Sequence, residues 1–143
     1  MGKVSIIYWS GTGNTEIMAE NIAEGAKSEG VEVELLNVSE ASIDNVINAD
    51  VVALGCSAAG AEELDYDEME PFVESLEEKG VSGKKMVLFG SYDWGDGEWM
   101  RNWEERMEAS GANLIEASLM VTNEPEGDEI DQCKELGMKI AKA

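Results

Sequence analysis

A run of apolar and β-branched residues, Val4-Ser5-Ile6-Ile7-Tyr8, leads directly into the turn Ser10-Gly11-Thr12-Gly13-Asn14-Thr15. Met18, Ile22 and Ala26 then recur at a spacing of four, with Ala19 and Ala23 beside them. A short continuous apolar run reads as a buried strand, and the period that follows reads as a helix. Gly30 supplies the stop signal. A strand that passes through a glycine-rich turn into a helix is half of a βαβ unit, and this constrains everything downstream.

The alternation continues to the end of the chain. Residues 33–38 read as a second strand, 43–48 as a short helix and 51–55 as a third strand. Met69, Phe72, Val73 and Leu76 mark the apolar face of a helix, and residues 85–90 a fourth strand. Trp99, Trp103 and Met107 lie at helical spacing, residues 114–121 read as a fifth strand, and Ile130, Cys133, Leu136 and Ile140 face inward from a last helix. The expected fold class is α/β: a doubly wound, five-stranded parallel sheet with helices on both faces, built as one domain over residues 1–143. Ligands in such sheets bind beyond the carboxyl ends of the strands, so the loops after strands one, three and four are where chemistry is expected.

Charge narrows the function. The 143 residues carry 10 Lys+Arg against 31 Asp+Glu and no His, a formal net charge of −21. So negative a surface repels phosphate backbones and anionic lipid heads, and binding to nucleic acid or membrane is not expected. The absence of His removes the Ser-His-Asp and Cys-His mechanisms and the commonest zinc ligand. No apolar run approaches the roughly 20 residues of a membrane span, and the N-terminus lacks the three-part pattern of a signal peptide. Cys56 and Cys133 form no C-x-x-C pair. Two lone thiols suit a reducing compartment, so a cytoplasmic location is expected.

The first loop suits an anion. Its glycines permit a tight turn whose N–H groups converge at a helix N-terminus, while Ser10, Thr12 and Thr15 add hydroxyls and Asn14 an amide. A P-loop needs Lys after its last glycine, and no Lys or Arg occurs between Lys3 and Lys27. The dinucleotide fingerprint fails at its third glycine, where Glu16 stands, and Asn37 occupies the region of the acidic ribose ligand. A terminal phosphate monoester fits better. Asp65-x-Asp67 lacks the glycine and distal Glu of a calcium loop, so no metal site is expected.

Three segments together resemble one family. Tyr8 through Glu16, Gly55-Cys56-Ser57-Ala58, and Gly90-Ser91-Tyr92 with Trp94-Gly95-Asp96-Gly97 are similar to the flavodoxins, most closely to the short-chain type of anaerobic bacteria. The resemblance covers essentially the whole chain in order. It implies strand order 2-1-3-4-5, bound flavin mononucleotide (FMN), and no enzyme reaction of its own. It also implies one-electron transfer between larger redox proteins, mainly between the semiquinone and hydroquinone forms.

By the same resemblance, Ser10, Gly11, Thr12, Gly13, Asn14 and Thr15 would hold the FMN phosphate, assisted by Ser57 and Ser91. Ala58, Ala59, Gly60, Ala61 and Glu62 would lie beside the reactive edge of the ring, with Glu62 accepting from the flavin N3–H. Trp94 would stack on the outer face. The backbone around Tyr92, Asp93 and Gly95 would meet the pyrimidine edge, with Asn123 supporting that wall. In flavodoxins a peptide in the second loop turns over when the flavin takes one electron, and Gly60 permits the required positive φ. Ala59 and Ala61 depart from the family pattern, and Ala59 removes the polarizable packing of a Met.

Nine acids lie between Glu62 and Lys79, opposed only by Lys79 itself. They suggest a docking surface for redox partners with basic patches, and the chain is expected to act as a monomer. A receiver domain of the same fold class would need paired acids after strand one, where Trp9-Ser10 stand, and an Asp after strand three, where Cys56-Ser57 stand. A flavin reductase would need a substrate pocket over the ring, and no insertion supplies a lid.

Overall fold

The computed structural model describes residues 2–11, 13–58, 63–92 and 97–143. Their elements alternate as the sequence pattern requires: β1 (Lys3–Trp9), α1 (Asn14–Lys27), β2 (Glu32–Asn37), α2 (Ile43–Ile47), β3 (Val51–Cys56), α3 (Met69–Lys79) and β4 (Lys85–Tyr92). They are followed by α4 (Glu98–Ala109), β5 (Asn113–Leu114), β6 (Leu119–Thr122) and α5 (Asp128–Ala141). All strand pairs are parallel, in the order β2-β1-β3-β4, with β5 and β6 both pairing with β4.

The expected continuous fifth strand over 114–121 is two short segments. β5 pairs with the start of β4, where Lys85 faces Asn113, and β6 with its end, where Tyr92 faces Thr122. Between them the chain leaves the ladder, and Ser118 donates to Glu104 of α4 at 2.5 Å. The apolar pattern marked the lane and could not show that residues 115–118 interrupt it.

Alternate strand residues feed opposite faces, as the pleat dictates. Ile7, Val52, Leu54, Cys56, Met86 and Leu88 pack with α3 and α4, where Phe72, Leu76, Trp99 and Trp103 are buried. Ile6, Val51, Ala53, Val87 and Phe89 pack with α1 and α5 through Met18, Ile22, Cys133 and Ile140. The two cysteines therefore sit in different cores on opposite faces of the sheet and are both unpaired. The helices α1 and α5 touch at Gly25 and Gly137, where a Cβ would run into the backbone of Lys134 and of Ile22.

This topology positions the loops. Because β1 lies between β2 and β3, the connections leaving β1 and β3 run to opposite faces and open a crevice at the carboxyl edge. Trp9 stands directly opposite Cys56 in the register, so the first two loops leave the sheet at the same height.

Candidate functional site

The first loop holds its shape through one side chain. The Ser10 hydroxyl oxygen accepts from the Gly13 amide at 3.0 Å and from the Glu16 amide at 3.3 Å. Gly13 makes this possible with φ of 95°, a left-handed conformation that a Cβ would disfavour. Backbone donors at the start of α1 thus converge on a single oxygen, and Ser10 Oγ occupies the role that an anion oxygen would take. The donor set fits a phosphate and contains no cation.

Beneath the loop, three buried hydroxyls join three loops. Thr15 Oγ1 lies 2.7 Å from Ser57 Oγ and 3.0 Å from Ser91 Oγ, with Ser57 and Ser91 3.4 Å apart. The Ser91 amide also donates to Thr15 Oγ1 at 3.3 Å. Backbone bonds extend the junction: the Ser57 amide donates to the Trp9 carbonyl and the Ala58 amide to the Ser91 carbonyl. A cluster of hydroxyls can reorient its protons, so it can be satisfied internally or donate to a ligand above it.

The wall formed after β4 rests on Tyr92. Its ring packs on Trp99 at a centroid distance of 5.2 Å, tilted by 47°. Its carbonyl accepts from the Asn123 amide at 2.9 Å, and Asn123 itself adopts φ of 60°. Ser10, Gly11, Gly13, Asn14, Thr15, Ser57, Ala58, Ser91, Tyr92 and Asn123 therefore all lie at the same end of the sheet, at or just beyond the carboxyl ends of β1, β3, β4 and β6. Thr12, Ala59, Gly60, Ala61, Glu62, Asp93, Trp94 and Gly95 lie outside the described residues.

Electrostatics around this edge are shaped by carboxylates with specific jobs. The buried Tyr8 hydroxyl donates to Glu16 at 3.0 Å, and burial together with that carboxylate pushes its pKa up to about 12. Asp65 accepts from the Glu68 and Met69 amides at 2.7 and 3.1 Å, so it caps the start of α3. Among the described residues no cluster of acids and thiols has metal-binding geometry. Burial raises both thiols, Cys56 and Cys133, to about 12, which leaves them inert packing residues.

Three contacts made by residues of α4 were not read from the sequence. Trp99, expected only as core, donates through Nε1 to the Cys56 carbonyl at 3.3 Å. Arg106 binds Glu70 through two bonds of 2.9 and 2.7 Å and Glu77 through two of 3.0 and 2.9 Å. Arg101 brings Nη1 within 3.9 Å of where a Cβ on Gly97 would stand, close to the third loop. Helical spacing could have flagged Arg101, four residues beyond Gly97, whereas the other two contacts join distant segments.

The flavodoxin family model matches residues 6–137 of the chain. A flavodoxin of Clostridium beijerinckii is 54% identical over 138 residues, covering 96% of this chain and 99% of that protein. A flavodoxin of Megasphaera elsdenii is 47% identical over 140 residues, covering 98% and 99% respectively. The solution structure of the two-electron reduced Megasphaera elsdenii flavodoxin superimposes with a TM-score of 0.86 at 46% identity, covering 98% of this chain and 99% of that one. Flavodoxins bind FMN and transfer electrons rather than acting as enzymes. Sequence and topology agree: the chain belongs to the flavodoxin family.

Proposed function

We propose that this flavodoxin is a low-potential one-electron carrier, cycling mainly between the semiquinone and hydroquinone of its FMN and docking to basic patches on redox proteins. The observation that carries this reading is the absence of Lys and Arg from residues 10–15, 57–62 and 91–97. When bound, FMN supplies the one-electron chemistry.

The chain's own residues then set the terms. Ser10, Gly11, Thr12, Gly13, Asn14 and Thr15 hold the phosphate with neutral donors, backed by Ser57 and Ser91. Residues 58–62, with Tyr92, Asp93, Trp94, Gly95 and Asn123, enclose the ring. Fully reduced flavin is anionic, and each carboxylate about 10 Å away opposes that charge by roughly 1–2 kcal/mol at an effective dielectric of about 20. The acids of the second and third loops, Glu62, Asp93 and Asp96, therefore lower the second potential.

Residues 1–143 are read as one domain acting as a monomer in the cytoplasm. No helix among the described residues is long and apolar enough to cross a membrane, and both thiols are free. The test is to titrate apoprotein with FMN and riboflavin, then measure electron exchange with a cationic haem protein. One FMN per chain, weaker riboflavin and a rate that falls with salt are expected. A chain indifferent to FMN overturns the reading.

A further inference from the structure

Glu16 holds the third position of helix α1. The Gly13 carbonyl accepts the first helical bond, from the Ile17 amide at 3.1 Å, so Gly13 is the residue that opens the helix. A glutamate three positions past that residue ordinarily folds back and accepts from its amide, as in a capping box. Here the fold-back would set a carboxylate on the Gly13 amide, one of the two amides that converge on Ser10 Oγ. The chain's own anion would then fill the nest that the first loop builds for a phosphate.

The carboxylate lies elsewhere. Glu16 Oε2 accepts from the Tyr8 hydroxyl at 3.0 Å, while the Gly13 amide bonds to Ser10. Tyr8 is the penultimate residue of β1, opposite Asn37 of β2 and Gly55 of β3 in the register, and it is buried in the core against α1. A ring anchored in the sheet cannot follow the carboxylate, so the hydroxyl acts as a fixed post. It also stays a donor across the physiological range. Burial first, then the bond to Glu16 and the charges of Glu16, Glu20 and Glu40, push its pKa up to about 12.

Those charges decide where Glu16 goes once the hydroxyl is lost. Glu20 of α1 and Glu40 past β2 both act on the post and repel a further carboxylate there. The nest offers converging amides and the positive end of a helix.

We propose that Tyr8 is a positioning residue for cofactor binding: its hydrogen bond holds the Glu16 carboxylate out of the anion nest and keeps the nest open to a phosphate monoester. This inference rests on reading the first loop as the FMN phosphate site. Without the post the chain competes with its own ligand. Glu16 must leave the nest before a phosphate meets the amides, and apparent affinity falls by the fraction of chains whose nest is open. Riboflavin carries no phosphate and is indifferent to this competition.

The test titrates full-length apoprotein with FMN, riboflavin and inorganic phosphate. The variants are Tyr8→Phe, Glu16→Ala and the two combined. Tyr8→Phe is expected to weaken FMN and inorganic phosphate about tenfold, the equivalent of one hydrogen bond, and to leave riboflavin within about twofold. Glu16→Ala removes the competitor, so it binds FMN at least as tightly as wild type, and adding Tyr8→Phe to it changes nothing further. Phe keeps the buried ring; should that variant nevertheless not fold, Glu16→Asp, one methylene too short to reach the hydroxyl, carries the same test. A loss that persists without Glu16, or an equal loss for FMN and riboflavin, marks a merely structural tyrosine. Either result, or an unchanged FMN affinity in Tyr8→Phe, overturns the inference while leaving the cofactor reading intact. A wild-type chain that takes up no FMN overturns both.

Discussion

Thr15 Oγ1 and Ser57 Oγ lie 2.7 Å apart in the buried junction, although 42 residues separate them in sequence. The contact ties the start of α1 to the end of β3, and Ser91 joins it from β4 at 3.0 Å from Thr15. Residues following β1 and β3 and a residue within β4 thus share one hydrogen-bonded junction.

Thr15→Val keeps the volume and removes the shared hydroxyl. Two buried serines lose a partner, which is expected to lower apoprotein stability by about 1–2 kcal/mol. FMN affinity should fall roughly ten- to hundredfold, since hydrogen bonds to a charged group are worth about 1.5–3 kcal/mol. Riboflavin, which has no phosphate, should lose less. Fluorescence titration and thermal melts read both effects.

Gly137→Ala tests the seam between α1 and α5. Alanine favours a helix by roughly 1 kcal/mol over glycine, but its Cβ meets the backbone of Ile22 and Ala26. Overpacking against backbone is expected to win, with a net loss of about 1–3 kcal/mol in urea unfolding. FMN affinity of the folded protein should not change, because the seam lies on the α1–α5 core.

Glu77 carries an acid-dependent share of stability. Its bonds to Arg106, reinforced by charge attraction, hold its pKa below the usual 4.5, against the opposing effect of burial. A lowered native pKa means the contribution is present above pH 4.5 and is lost as pH falls through the native value. Across that window Glu77→Gln should lose less stability than wild type on acidification. Equal losses in paired denaturation curves from pH 6 to pH 3 would contradict the assignment.

Neither thiol should react in the folded protein. With Cys56 and Cys133 raised to about 12 and fully buried, a disulfide reagent at pH 8 should find no thiol until denaturant is added, and then both.

Much of this arrangement is legible in the linear chain. Val4 through Tyr8 followed by two glycines and the Met18, Ile22, Ala26 face specifies β1, its loop and α1, because local period and turn chemistry act within a few residues. The grouping of Ser10, Ser57, Ser91 and Asn123 at one edge follows once strand order is known. The break at 115–118 was not legible, since an edge lane is decided by its partner strand. Nor were the bonds of Trp99 and Arg106: helical spacing marks Trp99 as core, and no local pattern reveals a bond to Cys56 or to Glu70. The touching glycines of α1 and α5 are invisible for the same reason, as interhelical approach leaves no local period.

The central claim is that a neutral phosphate nest inside a chain of net charge −21 forces reduced flavin into a negative field. The most direct measurement is the pair of one-electron potentials, resolved by anaerobic titration at several salt concentrations. The account predicts two separated steps, the second well below the first and rising as salt screens the surrounding carboxylates. A single two-electron step, or a second potential indifferent to salt, would contradict it.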